Sequence, residues 1–192
     1  VVYAVFNGFN TKGKYYTEFM EYVISKINKY GVGNIFVLAP SIKSKKTPVI
    51  RFANLLSNMN YPIYVPITDD QPIDDGVANG KILFSTFHQA KGLERDFVIV
   101  FEFSDAYLRF YNKSANPDIC PNELYVALTR SKNEIVVIQQ EQNKPLPFLK
   151  INIIDNYVKF INRDRFIKST KKPDETDRIR AIEQSVVDLV SY

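Results

Sequence analysis

Two apolar runs, Lys81-Ile82-Leu83-Phe84-Ser85 and Phe97-Val98-Ile99-Val100-Phe101, decide the fold class of this chain. Both are short and rich in β-branched or aromatic side chains, which is typical of strands rather than helices. Neither alternates apolar with polar residues, so both faces of each strand must be covered. The two runs therefore predict central strands of a buried sheet.

Similar runs recur along the chain and alternate with amphipathic segments. We expect further strands at residues 1–6, 34–39, 61–66 and 134–138, and helices at residues 15–30, 47–58 and 122–131. Strands separated by helices predict an α/β fold, with a mostly parallel sheet and helices on both faces. An acidic, turn-rich segment at residues 68–76 is expected to be a surface loop.

The pattern changes after Pro145 and Pro147. We expect a helix at residues 157–167 and another after Pro173. The chain is therefore divided into a main domain at residues 1–145 and a helical appendage, or the start of a further domain, at residues 146–192. A basic run at residues 159–172 is either a nucleic-acid contact or a solvated linker.

The composition excludes several classes of protein. With 45% apolar residues among 192, the chain is not disordered as a whole. One cysteine and one histidine exclude a disulfide framework and a Cys-rich or His-based metal site, so no metal ligands are expected. No segment approaches the roughly 18–20 apolar residues of a membrane span, so we expect an intracellular protein without a membrane partner. A net charge of +4 is too small to indicate nucleic-acid binding by itself.

One glycine-containing segment imitates a phosphate-binding loop. Gly8-Phe9-Asn10-Thr11-Lys12-Gly13-Lys14 matches the pattern G-x-x-x-x-G-K between a predicted strand and a predicted helix. That loop also needs Ser or Thr after the lysine to hold Mg²⁺. Tyr15 occupies the position, and a phenol is too bulky and too weakly basic for it. We therefore expect an ordinary turn here.

The first segment with a chemical signature is Thr86-Phe87-His88-Gln89-Ala90-Lys91-Gly92-Leu93-Glu94. It begins at the carboxyl end of a predicted parallel strand, which is where open α/β sheets bind ligands. Thr86 and His88 offer hydrogen-bond donors suited to phosphate oxygens. Gly92 allows a close backbone approach, and Glu94 can accept bonds from a sugar hydroxyl. A purely structural histidine remains an alternative for His88.

The second segment is Asn122-Glu123-Leu124-Tyr125-Val126-Ala127-Leu128-Thr129-Arg130-Ser131-Lys132. Its apolar residues predict a packed helix, with cations at the carboxyl end. Arg130 either complements the helix dipole or reaches a triphosphate held by another domain, where it would stabilise the charge that develops in phosphoryl transfer.

Together these segments resemble motifs V and VI of superfamily 1 helicases of the UvrD/Rep type, T-x-H-x-x-K-G-L-E and Y-V-A-x-T-R. The second motif stands here as Tyr125-Val126-Ala127-Leu128-Thr129-Arg130, and Asn34-Ile35-Phe36-Val37-Leu38-Ala39-Pro40-Ser41 occupies the place of motif IV. The resemblance covers about residues 30–140. It implies the second RecA-like domain of the motor, domain 2A, with the fold of P-loop NTPases.

The resemblance also implies roles for single residues. Thr86 and His88 would contact single-stranded nucleic acid, with DNA favoured over RNA. Gly92 and Glu94 would face ATP, and Arg130 would be the catalytic arginine finger on its γ-phosphate. The Mg²⁺ ligands and the phosphate loop would belong to a first RecA-like domain, expected upstream of Val1. The fragment alone is then expected neither to hydrolyse ATP nor to unwind nucleic acid.

Two departures from the family pattern leave a rival interpretation open. Motif IV usually carries an arginine that reaches the γ-phosphate, whereas Ala39-Pro40-Ser41 has none, and Lys43 or Arg51 would have to compensate. The spacing to motif V also leaves no room for a large accessory domain, which is similar to some giant-virus helicase-like proteins. The rival is a non-catalytic nucleic-acid-binding or scaffold module that retains the fold.

Overall fold

The computed structural model of the chain describes residues 1–6, 14–43, 47–69 and 73–171. The turn expected within residues 8–13 and the helix expected after Pro173 lie outside this part of the chain. The described residues form one seven-stranded sheet in the order β3-β4-β2-β5-β6-β1-β7, with every neighbouring pair parallel. The strands are β1 (Val2–Phe6), β2 (Ile35–Ala39), β3 (Ile63–Tyr64), β4 (Ile82–Thr86), β5 (Arg95–Val100), β6 (Ser131–Gln140) and β7 (Lys159–Ile161).

Helices cover both faces of this sheet, which confirms the predicted α/β fold. They are α1 (Lys14–Tyr30), α2 (Pro48–Asn58), α3 (Asp75–Ala78), α4 (Asn122–Leu128), α5 (Ile151–Ile154) and α6 (Arg163–Thr170), with a short 3-10 turn at Val32–Asn34 and a π-helix at Tyr107–Tyr111. On one face, α1 and α2 pack through Phe19 and Phe52. On the other, α4 and α6 pack through Leu124 and Phe166.

The central strands are buried on both faces, as their unbroken apolar sequences predict. Every residue of β1, β2 and β4 is buried. Alternate residues of β2 point to opposite sides, so Val37 joins the core under α1 and α2, whereas Leu38 joins the core under α4 and α6. The sheet is therefore a rigid layer between two cores.

Two boundaries differ from the sequence prediction around motif VI. The helix ends at Leu128 instead of residue 131, because Ser131 already begins β6 by pairing with Arg95 of β5. Strand β6 is ten residues long, twice the predicted length, and it is not the last strand. The short helix α3 begins at the end of the acidic segment and buries Ala78 against the sheet, whereas residues 70–72 of that segment lie outside the described part of the chain.

The prediction of a helix at residues 157–167 is wrong in its first half. Residues Lys159–Ile161 form β7, which pairs with β1 and so occupies that edge of the sheet. Asn162 then adopts φ 66°, and α6 follows. The local pattern favoured a helix, but a buried strand such as β1 needs a partner for its outer backbone groups. The domain boundary at residue 145 stays a prediction.

Candidate functional site

Motif V is a connection that crosses the sheet from one edge to the other. We call the edge where β2, β4 and β5 end the carboxyl edge, and the edge where β5 and β6 begin the amino edge. Thr86 ends β4 level with Ala39 of β2, whereas Phe97 of β5 is level with Ile35. Four residues of β2 separate these levels, or roughly 13 Å along the strands. Glu94 lies still nearer the amino edge.

The crossing needs only residues 87–94, although parallel connections usually take a dozen residues or more. Phe87 and Ala90 are buried in the core under α4 and α6, and Leu93 packs against that core. These three apolar residues hold the connection against the sheet. Gly92 adopts φ +86°, a left-handed conformation that favours glycine. Lys91 is exposed on the same connection.

At the carboxyl edge, Thr86 is buried, and its hydrogen bonds stabilise the motif V loop. The residue is only 2% exposed. The Thr86 hydroxyl is 3.3 Å from Gln89 Oε1 and accepts a bond from the Gln89 backbone N–H at the same distance. Gln89 Oε1 also accepts from the Ser85 hydroxyl at 3.1 Å. In this conformation Thr86 shapes the turn, and its hydroxyl does not face solvent.

His88 follows on the outside of that turn and is exposed. No hydrogen bond joins its ring to another residue that the structure describes. A structural histidine, the alternative role for His88, would be expected to have hydrogen-bond partners in the described part of the chain. His88 is therefore placed where its ring can meet a ligand at the carboxyl edge.

Asp69 ties the motif IV loop to motif V, and the sequence prediction missed it. Its carboxylate accepts hydrogen bonds from the Ser41 hydroxyl and the Ile42 backbone N–H, both at 2.8 Å. Lys43 Nζ lies 3.7 Å from the same carboxylate. The Asp69 backbone oxygen is 3.5 Å from the Thr86 hydroxyl. An aspartate in an acidic run gave no signal that separates it from its solvated neighbours.

Glu94 and Arg130 lie at the amino edge, and Gly92 precedes Glu94 by two residues. The Arg95 backbone N–H donates to the Arg130 carbonyl at 3.1 Å, because β5 and β6 begin side by side there. Glu94 is exposed, and Arg130 is half-buried. Among the residues that the structure describes, no ion pair engages either Glu94 or Arg130. Motifs V and VI thus bring one acidic and one basic side chain to the same edge.

The Arg130 side chain lies against the end of its own helix. Its Nε donates to the Val126 carbonyl at 2.9 Å, and an Nη donates to the Thr129 hydroxyl at 3.1 Å. The Val126 carbonyl also accepts from the backbone N–H and the hydroxyl of Thr129, so Arg130 adds a charged donor at the helix end, as expected for a cation that complements the helix dipole. The same contacts hold the guanidinium at the end of α4, at the amino edge.

The two candidates for a substitute motif IV arginine do not join this group. Lys43 follows the end of β2 and pairs with Asp69 at the carboxyl edge. Arg51 lies in the first turn of α2, which also begins at that edge. Neither is therefore placed beside Arg130.

A group of polar and aromatic residues follows β5 at the carboxyl edge, and the sequence prediction missed it as well. Glu102 adopts φ 58°, and burial raises the pKa of its carboxyl above the ordinary value. Burial, together with the Glu102 and Asp69 carboxylates, raises the pKa of Tyr111. Glu102 and Tyr111 also line the same groove. Because Asp69 lies far from Glu102 and Tyr111 in the sequence, the sequence pattern did not predict that these residues interact.

The described part of the chain shows neither a candidate metal site nor a membrane-spanning helix. No group of three or more His, Cys, Asp or Glu side chains there could hold a metal ion. No helix within it has the length and hydropathy that crossing a bilayer requires.

Comparison with known proteins agrees with this geometry. The family model described as the UvrD-like helicase C-terminal domain matches residues 38–142, which is 105 of the 192 residues. The crystal structure of the C-terminal domain of a possible DNA helicase from Lactobacillus plantarum WCFS1 is similar in fold, with a TM-score of 0.52, 13% identity and 84% of each chain covered. No curated protein matches the sequence. The chain belongs to the family of UvrD-like helicase C-terminal domains.

Proposed function

We propose that the chain is the C-terminal motor domain of an ATP-dependent superfamily 1 helicase or translocase. In this proposal the amino edge completes an ATP site, and the carboxyl edge grips single-stranded nucleic acid, with DNA favoured. The observation that carries it is the motif V connection, whose nine residues from Thr86 to Glu94 run between the two edges. A structural change at one edge could then be transmitted to the other edge through this short, packed connection.

The amino edge suits a triphosphate presented by a second surface. Arg130 holds its guanidinium at the edge without a carboxylate partner among the described residues, so its charge is available to an anion. Its present partners are a carbonyl and a hydroxyl. An arginine finger stabilises the charge that develops on a transferring phosphoryl group. Glu94, exposed beside it, would accept a hydrogen bond from the ribose.

A first RecA-like domain would hold the β- and γ-phosphates and the Mg²⁺ ion. The part of this chain that the structure describes offers no cluster of metal ligands. Mg²⁺ supplies charge neutralisation between the phosphates when it is bound. In this proposal the chain hydrolyses ATP only together with that first domain.

The carboxyl edge suits a nucleic-acid backbone through His88. Its exposed ring can donate to a phosphate oxygen, and the loop that carries it is fixed by Thr86 and Gln89. Thr86 therefore acts as a positioning residue in this conformation, instead of the direct contact that the motif suggests. Closure of the two domains around ATP would move His88 with the connection and change its grip, which gives stepwise translocation.

A non-catalytic scaffold is the second candidate, and the motif IV loop favours it. Ala39-Pro40-Ser41 lacks the family's arginine, and neither Lys43 nor Arg51 lies beside Arg130. A scaffold has no use for an exposed Glu94 next to Arg130, so we favour the motor.

ATP hydrolysis in a protein that joins this chain to its first RecA-like domain separates the two candidates. A motor hydrolyses ATP faster when single-stranded nucleic acid is added, and Arg130→Ala abolishes this activity. A scaffold binds the nucleic acid without hydrolysis above background. Lys150→Ala is the control, because Lys150 is an exposed cation that precedes α5, outside both motifs and outside the basic run.

A further inference from the structure

Two aromatic rings are exposed on the carboxyl edge, beside the motif V loop. Phe110 is 65% exposed and Tyr111 is 45% exposed, although both belong to a segment that is otherwise largely packed. We propose that Tyr111 and Phe110 form a stacking platform for a base of single-stranded nucleic acid. The proposal rests on the proposed function and adds a base contact to the backbone contact at His88.

The Tyr111 ring is supported from behind by other rings. It stacks on Tyr107, with centroids 6.3 Å apart and planes inclined by 18°. Tyr107 is buried and packs against Phe87, at a centroid distance of 5.6 Å. The stack fixes the orientation of Tyr111 and leaves its exposed surface ready for a ligand. A base that lands there loses little additional entropy in ordering the protein.

The same stack joins the platform to motif V. Phe87 stands between Thr86 and His88 in sequence, so the rings connect the base contact directly to the loop that carries His88. The Asp69 carboxylate contributes to the raised pKa of Tyr111, after burial and Glu102. Asp69 is also hydrogen-bonded to the motif IV loop. The base contact and the phosphate contact would therefore belong to one continuous surface.

A π-helix brings the two rings to the surface together. The Asn112 backbone N–H donates to the Tyr107 carbonyl at 3.0 Å, a bond that spans five residues instead of four. Such wide turns are uncommon and occur frequently at functional sites. The Arg109 guanidinium lies 5.0 Å from the centre of the Phe110 ring. Arginine planes and aromatic faces are the groups on which unpaired bases stack.

Phe110 forms a ridge between two open grooves. One groove, of about 440 Å³, continues to Glu102, Gln140 and Asn143. The other, of about 510 Å³, continues to Lys113 and Pro117. Both lie in the size range of small-molecule sites. A strand that crosses the ridge would place a base on the rings, with polar side chains on one side and a lysine on the other.

The charges around the rings do not oppose a polyanion. Asp69 is engaged by Ser41, Ile42 and Lys43, and Asp105 is paired with Arg109 at 3.1 Å. Glu102 is half-buried, and burial raises the pKa of its carboxyl above the ordinary value. Two cations, Arg109 and Lys113, flank Phe110. An exposed apolar patch on a protein-binding surface is the rival explanation.

Tryptophan fluorescence tests the platform directly, because the chain contains no tryptophan. Tyr111→Trp places a single reporter at the platform, and Tyr157→Trp is its matched control at an exposed tyrosine between α5 and β7. Each variant is titrated with single-stranded DNA of about twelve thymidines and with an abasic strand of the same length. Fluorescence anisotropy of a labelled strand measures binding in the same samples.

We expect the thymidine strand to quench the emission of the Tyr111→Trp variant and to leave that of the control variant unchanged. The abasic strand should bind without quenching. Tyr111→Ala and Phe110→Ala should each weaken binding of the thymidine strand by about 5- to 150-fold, with little effect on the abasic strand. Tyr111→Phe keeps the ring and should bind within about twofold of the parent chain.

Bound strand without quenching, or unchanged affinity in both alanine variants, would overturn the platform and assign the rings to a protein contact. Either result leaves the proposed function intact if the strand still binds. Failure of the unmodified chain to bind any strand would overturn both proposals together.

Discussion

The two edges of the sheet are built differently, although one nine-residue motif joins them. At the carboxyl edge, Thr86, Gln89 and Asp69 form an internal hydrogen-bond network over a stack of buried rings. At the amino edge, Glu94 is exposed and Arg130 is held by its own helix. The carboxyl edge is held in shape by its own hydrogen bonds, so it can bind a ligand by itself. The charged side chains at the amino edge are expected to bind a ligand that a second domain presents. The contrast agrees with a motor domain whose ATP site is shared.

The largest effect is expected at the amino edge. In a protein that also carries the first RecA-like domain, Arg130→Ala should lower the ATPase rate by ~10³-fold or more, because the charge on the γ-phosphate loses its stabilisation. Steady-state phosphate release measures it. Affinity for single-stranded DNA without nucleotide should stay the same, since the carboxyl edge is untouched. A variant within tenfold of the parent rate would remove Arg130 from the chemistry.

The next effect concerns the connection between the edges. Gly92→Ala forces a side chain into a left-handed conformation, although the space around it is open. We expect a loss of about 1–2 kcal/mol in the free energy of unfolding, measured by urea titration. Gly80→Ala is a matched control, because Gly80 has φ +69° with equally open space but lies outside the motif. Both variants should lose similar stability, and only Gly92→Ala should also lower ATPase activity.

At the carboxyl edge, His88→Ala should weaken the binding of single-stranded DNA by about 2- to 10-fold, the value of one hydrogen bond to a phosphate. Fluorescence anisotropy at fixed salt measures it. The stability of the chain should not change, because the ring is exposed. If His88→Ala lowered stability without changing the affinity, the histidine would be structural.

The smallest expected effect is on the stability of the fold, and it concerns a residue near the amino edge that belongs to neither motif. Glu134 of β6 accepts hydrogen bonds from Lys29 and Tyr30 at 2.7 Å, and Lys26 lies 2.6 Å away. Burial alone would raise the pKa of Glu134, but these bonds outweigh it and lower the pKa from 4.5 to about 2.

Because the folded pKa is depressed, the stabilisation is present above pH 4.5 and is lost as the pH falls towards 2. Glu134→Gln should therefore lower the free energy of unfolding by about 1 kcal/mol at pH 7, since the group is partly exposed to solvent. Urea titrations at several pH values measure this difference, which should vanish near pH 2. A difference that persists there would mean that the carboxylate charge is not its source.

The central part of the fold could be predicted because the central strands have unbroken apolar sequences, which indicate burial on both faces. Strand β7 was missed, since residues 159–161 become a strand only by pairing with the outer edge of β1. Local patterns contain no information about such a partner. The helix of motif VI is shorter than predicted for the same reason, because the pairing of Ser131 with Arg95 ends it.

The site was predicted unevenly. The motifs propose Thr86, His88, Gly92, Glu94 and Arg130 as site residues, which stays a prediction, but their division between two edges follows from the register of β2 with β4 and β5. Asp69 and the Tyr107–Tyr111 segment were missed. Asp69 acts through a loop about 30 residues earlier in the chain, and the rings are exposed by a π-helix that a regular periodicity does not predict.

Amide hydrogen exchange of the chain with and without single-stranded DNA tests the two-edge assignment most directly. We expect the DNA to protect peptides that cover residues 86–89 and 107–111 at the carboxyl edge, and to leave residues 128–133 at the amino edge unchanged. Protection of residues 128–133, with none at residues 86–89 or 107–111, would contradict the assignment.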